Sequence, residues 1–295
     1  MRYTSSVPAG RTGGTVTESA MKYVFLSAAG VSVGAVVLIC MFMFANGVPA
    51  MVKIGFSRFL LGMKWKPDLE LFGIFPMIVG SIAVTAGAVV LGVPAGIITA
   101  VFLARFCPKP VYGPLKNGVE LLAGIPSVVY GFFGLTAVVP VIRALAGGNG
   151  TSILAASIVL AIMILPTIIG VSEAAIRAVP AGYYEGSLAL GACRERSVFF
   201  VELPAAKSGI VAGIILGIGR AIGETMAVIM VAGNQAVMPR GLTKGVRTMT
   251  ANIVLEMGYA AGLHREALIA TAVVLFFFIL VINMIFMLAK KGSRS

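Results

Sequence analysis

Residues 152–172 read SILAASIVLAIMILPTIIGVS and contain no charged side chain. A helix that spans the hydrocarbon core of a bilayer needs about 20 consecutive apolar residues, so this run predicts a transmembrane helix. Other runs of at least that length are Tyr23–Ala45, Gly73–Ala104, Leu121–Ile142, Ala267–Ala289 and, with two charges inside it, Ser208–Ala232. The sequence therefore predicts an all-α integral membrane protein with six transmembrane helices.

The composition argues against a soluble protein. Only 12% of the 295 residues are charged and 59% are hydrophobic, and the mean hydropathy is +1.01, whereas a soluble domain has about 25% charged residues. The net charge of +12 comes from short groups of Lys and Arg between apolar runs. This distribution is typical of loops beside a bilayer and predicts no nucleic-acid partner. The single histidine, His264, leaves little scope for a metal site.

The chain divides into a membrane domain and two tails. Residues 1–22 are polar and rich in Gly, Ser and Thr, so we expect a disordered N-terminal tail and no cleavable signal. We expect the membrane domain at residues 23–289 and a short C-terminal tail at 290–295. Six crossings place both termini on one side. Thirteen Lys and Arg flank that side against nine on the other, which predicts cytoplasmic termini and a cytoplasmic segment at residues 177–207.

Prolines are expected to interrupt several of these helices, because proline donates no backbone hydrogen bond and clashes with the preceding turn. We expect breaks at Pro126, Pro140 and Pro166. The second run is longer than a bilayer requires and contains Pro94, which predicts a kink or an extension beyond the membrane.

Residues 177–207 carry a spaced pattern: Glu185-Gly-Ser187, then Gly191, then Val201-Glu-Leu-Pro204. Gly191 tolerates a left-handed conformation and is predicted to end a short helix at Tyr183–Leu190. Pro204 fits the first turn of the next helix, where its missing N–H costs nothing. The pattern predicts a helix–turn–helix elbow that projects from the membrane. The alternative is an ordinary surface loop.

This pattern resembles the coupling segment of ABC-importer permeases, in which Glu-Ala-Ala is followed by Gly and then by Ile-x-Leu-Pro. Gly186, Ser187 and Val201 depart from it by small changes. The resemblance implies a MetI-like (type I) importer permease whose elbow docks on a nucleotide-binding subunit. The coupling residues that it implies are Glu185, Gly186, Ser187, Gly191, Leu203 and Pro204.

Two charges lie inside the fifth predicted helix, and charges at membrane depth default to a functional interpretation. Arg220 and Glu224 are four residues apart, so a helix places them on one face, together with a stripe of glycines at positions 209, 213 and 217. Arg220 is about 18 Å along the helix from Ser208, near mid-membrane. Our hypothesis is that Arg220 contacts an anionic substrate and that Glu224 is its resting counter-ion. A purely structural ion pair remains the alternative.

Three further motifs resemble phosphate permeases of the PstC type. They are LGIGRAIGETMA at 216–227, ELLAGIPSVVYGFFG at 120–134 and GLHR at 262–265. The resemblance implies passage of inorganic phosphate across a prokaryotic cytoplasmic (inner) membrane. It also implies a PstA-like sister permease, two copies of a PstB-like ATPase and an external PstS-like binding protein. The loop Arg143–Thr151 is short for this family, which leaves contacts made there by relatives in question.

Four more polar residues are candidates for the substrate pathway. Ser127 and Tyr130 follow the break expected at Pro126, where freed N–H groups can meet an anion. Thr225 and Asn234 follow the charged pair. The commoner fate of such side chains is a hydrogen bond within the core.

No phosphate-binding loop of the form Gly-x4-Gly-Lys-Ser/Thr occurs in the sequence, so we expect a chain that is not an enzyme and binds no cofactor. ATP and Mg would belong to the partner ATPase. Alternatives are a sulfate or molybdate permease, a stand-alone channel or proton-coupled carrier, and a membrane enzyme. The positive charges on the outer side are a further hypothesis: they attract phosphate or dock the binding protein.

Overall fold

The computed structural model describes residues 14–292. Six helical segments in it are long and apolar enough to cross a membrane, which confirms the number predicted. They are Glu18–Ile54, Phe75–Phe106, Ser127–Ala146, Ile153–Arg177, Arg194–Gly223 and Gly262–Ile285.

The first third of the chain contains two membrane helices joined by a small β-hairpin. Its elements are α1 (Gly14–Ile54), α2 (Phe56–Leu61), β1 (Trp65–Lys66), β2 (Leu71–Phe72) and α3 (Phe75–Val101). The two strands are antiparallel, with Trp65 opposite Phe72. The hairpin turns through a 3-10 segment and Glu70, which has a φ of 53°.

The middle third begins with an amphipathic helix and ends with the most buried membrane helix. Its elements are α4 (Lys109–Gly124), α5 (Ser127–Phe133), α6 (Val139–Ala146) and α7 (Ile153–Arg177). No residue of α4 is buried. Helix α7 starts at Ser152, whose hydroxyl accepts a hydrogen bond from the backbone N–H of Ala155, as expected of an N-cap.

The last third contains the elbow and the remaining membrane helices. Its elements are α8 (Ala181–Ala189), α9 (Arg194–Ser197), α10 (Leu203–Gly223), α11 (Met226–Val231), α12 (Met249–Met257) and α13 (Gly262–Gly292).

Helix α7 is the centre of the bundle because α3 and α10 pack on it through glycines. A Cβ on Gly87 would lie 2.2 Å from the Ser157 Oγ, and one on Gly92 would lie 2.9 Å from a methyl of Ile164. Such close approach maximises van der Waals contact between membrane helices. A separate apolar cluster joins the end of α1 to α13 and the hairpin.

Between residues 14 and 292, three π turns precede prolines. They span Phe102–Phe106, Gly134–Val138 and Val198–Glu202. In each, the residue before the proline donates its N–H to the carbonyl five residues back: Cys107 to Phe102, Val139 to Gly134 and Leu203 to Val198. A proline clashes with the carbonyl four residues earlier, and the wider turn moves that carbonyl aside.

The structure corrects several predicted boundaries. Residues 14–22 are helical, because α1 extends nine residues beyond the apolar run, through Ala20, Met21 and Lys22, which favour helix. Similarly, α13 reaches Gly292 and includes part of the predicted C-terminal tail. The rest of those tails, 1–13 and 293–295, lies outside the described residues.

The predicted proline effects are confirmed in part. The chain breaks at Ile125–Pro126, which separates α4 from α5 and divides the third apolar run. Pro140 lies in the first turn of α6, directly after a π turn, but the helical segment Ser127–Ala146 continues through it, so the break predicted there is wrong. The break predicted at Pro166 is wrong, since α7 continues through it. Helix α3 continues through Pro94, and the helical segment Phe75–Phe106 has 32 residues, more than a bilayer requires. The extension beyond the membrane stays a prediction.

Candidate functional site

The glycine stripe of α10 lies against α7, as the sequence predicts. A Cβ on Gly209 would meet Ala175 at 2.4 Å, and one on Gly217 would meet Ile168 at 2.9 Å. Because Ile168 is near the middle of α7, this contact places Arg220, one turn further along α10, at mid-depth in the bundle.

Arg220 and Glu224 do not form the predicted ion pair. Helix α10 ends at Gly223, and Glu224 has an extended backbone with φ −71° and ψ 132°. The four-residue spacing that would stack the two side chains on a helix therefore no longer applies. Arg220 is partly buried, and among residues 14–292 no carboxylate lies within 4.0 Å of its guanidinium.

Glu224 instead caps the next helix. Its Oε1 accepts hydrogen bonds from the backbone N–H of Thr225 at 3.1 Å and of Ala227 at 3.3 Å. A carboxylate at the start of a helix satisfies free N–H groups and opposes the positive end of the helix dipole. The Glu224 carbonyl also accepts a hydrogen bond from the hydroxyl of Thr250. Hydrogen bonds to the side chain and to the backbone carbonyl of Glu224 thus stabilise the break between α10 and α11.

The structure gives the Tyr130 hydroxyl a structural partner. Tyr130 is 5% exposed and donates to the carbonyl of Leu122 at 2.7 Å, across the Pro126 break. Helix α5 lies directly on α11, since a Cβ on Gly131 would meet Ala227 at 2.9 Å. Ser127 is partly exposed at the start of α5.

Thr225 and Asn234 lie at opposite ends of α11. The Thr225 hydroxyl donates to the Gly223 carbonyl at 3.3 Å, within the break. Asn234 has a φ of 52° and follows Gly233 in a tight turn. Its side-chain amide donates a hydrogen bond to the backbone carbonyl of Ile229, and its backbone carbonyl accepts one from Arg247 Nε. The structure therefore places Thr225 in the break beside Glu224 and Asn234 beyond the far end of α11.

The elbow, residues 177–207, begins with the short predicted helix, although α8 starts two residues earlier and ends one residue earlier than expected. Its end is a Schellman motif: Ala192 donates to the Ser187 carbonyl and Gly191 to that of Leu188. Gly191 has a φ of +86°, as predicted for this motif. Glu185 and Gly186 are exposed, and the Ser187 hydroxyl donates to the Tyr184 carbonyl. Leu190 at the tip is 90% exposed.

Pro204 lies in the first turn of α10, as predicted. The helical segment starts at Arg194 and passes through the π turn before Leu203 and Pro204. The helix therefore continues through the elbow without a break, because the π turn accommodates proline within a continuing helix.

Residues 92–292 match the family described as "Binding-protein-dependent transport system inner membrane component". The chain belongs to this family. It is 40% identical over 234 residues to the probable ABC transporter permease protein YqgH of Bacillus subtilis, covering 78% of this chain and 76% of YqgH. It is 35% identical over 277 residues to the phosphate transport system permease protein PstC of Mesorhizobium japonicum, covering 86% and 84%.

Solved importer structures share the fold. The methionine ABC transporter MetNI, in an inward-facing conformation, matches with a TM-score of 0.61 at 19% identity, over 78% of this chain and 99% of that chain. A bacterial alginate ABC transporter matches with a TM-score of 0.61 at 13% identity, over 97% and 99%. The expected MetI-like fold is confirmed, and the chain is a multi-pass membrane permease.

The permease also contains buried carboxylates that the sequence analysis did not single out. At the elbow face, Glu202 is fully buried in a π turn and lies 2.6 Å from an Arg105 nitrogen. Arg105 also donates to the Ile176 carbonyl at 3.1 Å. The sequence signal that could have indicated the burial of Glu202 is its place as the single acid within Phe199-Phe-Val-Glu-Leu203, an apolar context that favours burial.

Glu173 joins α4 to α7 at the same face. It is 2% exposed and accepts hydrogen bonds from Tyr112 at 2.6 Å, Lys116 at 2.8 Å and Arg177 at 2.9 Å. The hydrogen bond to Glu173 raises the pKa of both Tyr112 and Lys116. Lys116 therefore remains charged at neutral pH and holds the exposed helix α4 against the bundle.

Glu256 connects three segments at the opposite face. It accepts hydrogen bonds from Trp65 Nε1 at 2.8 Å and Arg247 Nη1 at 2.5 Å, and its Oε2 lies 2.8 Å from His264 Nε2. Burial raises the pKa of Glu256, but the hydrogen bonds from Trp65, His264 and Arg247 outweigh it, and the net effect is a lowered pKa. The cluster contains a residue of the GLHR motif, and it fixes the hairpin and α12 to the start of α13.

Proposed function

We propose that this permease is one subunit of an ATP-driven phosphate importer and forms the translocation pathway with a sister permease. The PstC phosphate permease of Mesorhizobium japonicum aligns with 86% of the chain at 35% identity, and that of Pasteurella multocida with 82% at 34%. The pathway would open alternately to the two sides of the membrane.

Arg220 carries the proposal for an anionic substrate. A cation at mid-membrane depth is costly unless it is paired, and among the described residues this one has no carboxylate within 4.0 Å. A guanidinium offers planar, paired N–H donors that match an oxyanion. A transient phosphate would supply the missing counter-charge. In this conformation Glu224 does not neutralise Arg220, so we assign it the task of shaping the break beside the pathway.

The proposed partners follow from the elbow and from the relatives. A PstB-like ATPase would hold ATP and Mg and receive the elbow, through Glu185, Gly186, Ser187 and the exposed Leu190. A PstA-like permease and a PstS-like binding protein would complete the importer. In this arrangement the elbow and both termini are cytoplasmic in the inner membrane, and the permease itself hydrolyses no ATP.

Uptake of labelled phosphate by proteoliposomes that contain the whole importer tests the proposal. We expect ATP-dependent and binding-protein-dependent uptake that excess sulfate or molybdate does not reduce. Arg220→Gln should lower uptake about 10- to 100-fold, the effect of losing hydrogen bonds between charged partners, with assembly unchanged. Arg220→Lys should recover only part of the rate, because a single ammonium cannot bind an oxyanion in bidentate fashion.

The exposed Lys22→Gln is the control, since Lys22 belongs neither to the outer cations nor to the elbow, and its uptake should equal that of the unmodified importer. Full transport by Arg220→Gln would refute the substrate contact. Equal competition by sulfate would refute phosphate specificity while leaving the importer assignment in place.

A further inference from the structure

A cavity of about 530 Å³ lies between the end of α1, helix α2, the β-hairpin and the start of α13. Its lining includes the cations Lys53, Arg58 and Lys64 and one carboxylate, Glu70. The side chains that surround the cavity therefore carry a net charge of +2. Apolar walls come from Ile54 and Leu263, among others.

Two of these cations have no acidic partner. Lys53 pairs with Glu266 at 2.8 Å. In the part of the chain that the structure describes, no carboxylate lies within 4.0 Å of Arg58 or Lys64. Adjacent cations repel one another, so an anion in the cavity would stabilise this arrangement.

The cavity lies at the bilayer surface opposite the elbow. Helix α3 starts beside it at Phe75, and the helical segment ends at Phe106, next to the elbow. Residues 18–39 of α1 are all exposed, so the described part of the chain leaves this apolar helix uncovered there. Beside the cavity, Phe56, Leu61 and Met63 are also largely exposed. Apolar side chains next to cations at the end of a membrane helix are typical of an interfacial element.

We propose that this cavity binds the phosphodiester headgroup of an anionic lipid from the leaflet opposite the elbow. Arg58 and Lys64 would bind the phosphate oxygens, while Ile54 and Leu263 would contact the glycerol and upper acyl carbons. Lipid fits the cavity better than a free phosphate, because the walls combine charge with apolar surface. It also fits better than a protein partner, which needs an extended surface of roughly 800 Å² on each side.

The test measures retention of dioleoyl phosphatidylglycerol by the complete importer after reconstitution in vesicles of dioleoyl phosphatidylcholine with and without that lipid. Native mass spectrometry of the extracted complex counts the retained lipids, and the thermal unfolding midpoint gives an independent measure. We expect the Arg58→Ala/Lys64→Ala variant to weaken retention about fivefold per cation, the contribution of one basic side chain near an anionic surface. The Arg240→Ala/Lys244→Ala variant removes two exposed cations of the same face outside the cavity, and it should retain lipid normally.

Three results would overturn the proposal. The first is equal retention by both variants. The second is stabilisation by inorganic phosphate in pure phosphatidylcholine that equals stabilisation by phosphatidylglycerol, since the cavity would then bind free phosphate. The third is weaker docking of the binding protein to the cavity variant with unchanged lipid retention, which would make this surface a protein interface.

Discussion

Glu256 forms hydrogen bonds to three segments of the permease that are distant in sequence, and its ionisation state sets the strength of those hydrogen bonds. Its bonds to Trp65, Arg247 and His264 require the carboxylate form for full strength. The depressed pKa means that the folded protein holds the deprotonated form more strongly than the unfolded chain does.

Acid should therefore weaken this cluster. The stabilisation is present above the ordinary Glu pKa of 4.5 and is lost as pH falls through the lower folded-state value. Glu256→Gln should cost about 2 kcal/mol at neutral pH, through lost charge-assisted hydrogen bonds, and should remove part of the acid sensitivity. Thermal unfolding in detergent between neutral pH and pH about 3 measures both effects, with Glu70→Gln as control. An unchanged acid profile in Glu256→Gln would contradict this role.

Two substitutions at Glu224 separate the effect of its charge from the effect of its capping hydrogen bonds. Glu224→Gln keeps an oxygen that can accept from Thr225 and Ala227, whereas Glu224→Ala removes the cap. We expect the Ala variant to lose about 1 kcal/mol of stability and the Gln variant to lose only a few tenths. Unfolding midpoints test the cap, and phosphate uptake by the stable Gln variant tests the charge. Equal destabilisation by both substitutions would count against capping.

At this scale the sequence predicted the depth of Arg220 and the face of the glycine stripe, because both follow from helical spacing. It did not predict that Arg220 and Glu224 would separate. The helix end at Gly223 depends on tertiary contacts such as Thr250 to Glu224, which lie 26 residues apart in sequence and leave no periodic signal. The hydrogen bonds of Glu173 likewise depend on tertiary contacts, because they form only when α4 packs against α7.

At the scale of the elements, the elbow depends on one backbone conformation, that of Gly191. Gly191 sits at φ +86°, a region that costs an L-residue about 1–2 kcal/mol. Gly182 lies within α8, and a Cβ built there meets nothing within 4 Å. The two glycines therefore make a matched pair, one required by the turn and one not.

Gly191→Ala should destabilise the elbow and reduce coupling to the ATPase, whereas Gly182→Ala should be neutral or stabilise α8 by about 0.5–1 kcal/mol. Binding of the purified ATPase to the permease, and transport-coupled ATP hydrolysis, measure the difference. Wild-type coupling in Gly191→Ala would show that the turn is not required.

The elements that sequence analysis found were the apolar ones. Runs of about 20 apolar residues identify membrane helices directly, whereas α4 and α12 are shorter and more polar. Helix α12 nevertheless buries Met249, Ala251 and Asn252, because the hairpin, α3 and α13 surround it. Burial of that kind depends on the assembled fold.

Across the whole molecule, the Arg105–Glu202 pair connects the second membrane segment to the helix that leaves the elbow. Arg105 also reaches the end of α7 at Ile176, and Arg194 donates to the Arg105 carbonyl. Movement of the elbow would therefore pull on three membrane segments at once.

A double-mutant cycle tests this link. Arg105→Met strands a fully buried carboxylate and should cost about 3–5 kcal/mol, whereas the Arg105→Met/Glu202→Met double variant should cost much less than the sum of the single variants. Unfolding midpoints of the assembled importer give the coupling energy. Additive effects would show that the two side chains act independently.

The three π turns have a consequence for comparing this chain with its relatives. Each holds one residue more than an α-helical turn would, so a relative without the following proline can lack one residue there and keep both flanks in place. A one-residue gap at 102–106, 134–138 or 198–202 is then structurally neutral. If an alignment places the gap elsewhere in the same helix, every residue between the π turn and the misplaced gap is aligned one position off. Such residues then differ by about 100° around the helix axis from their true counterparts.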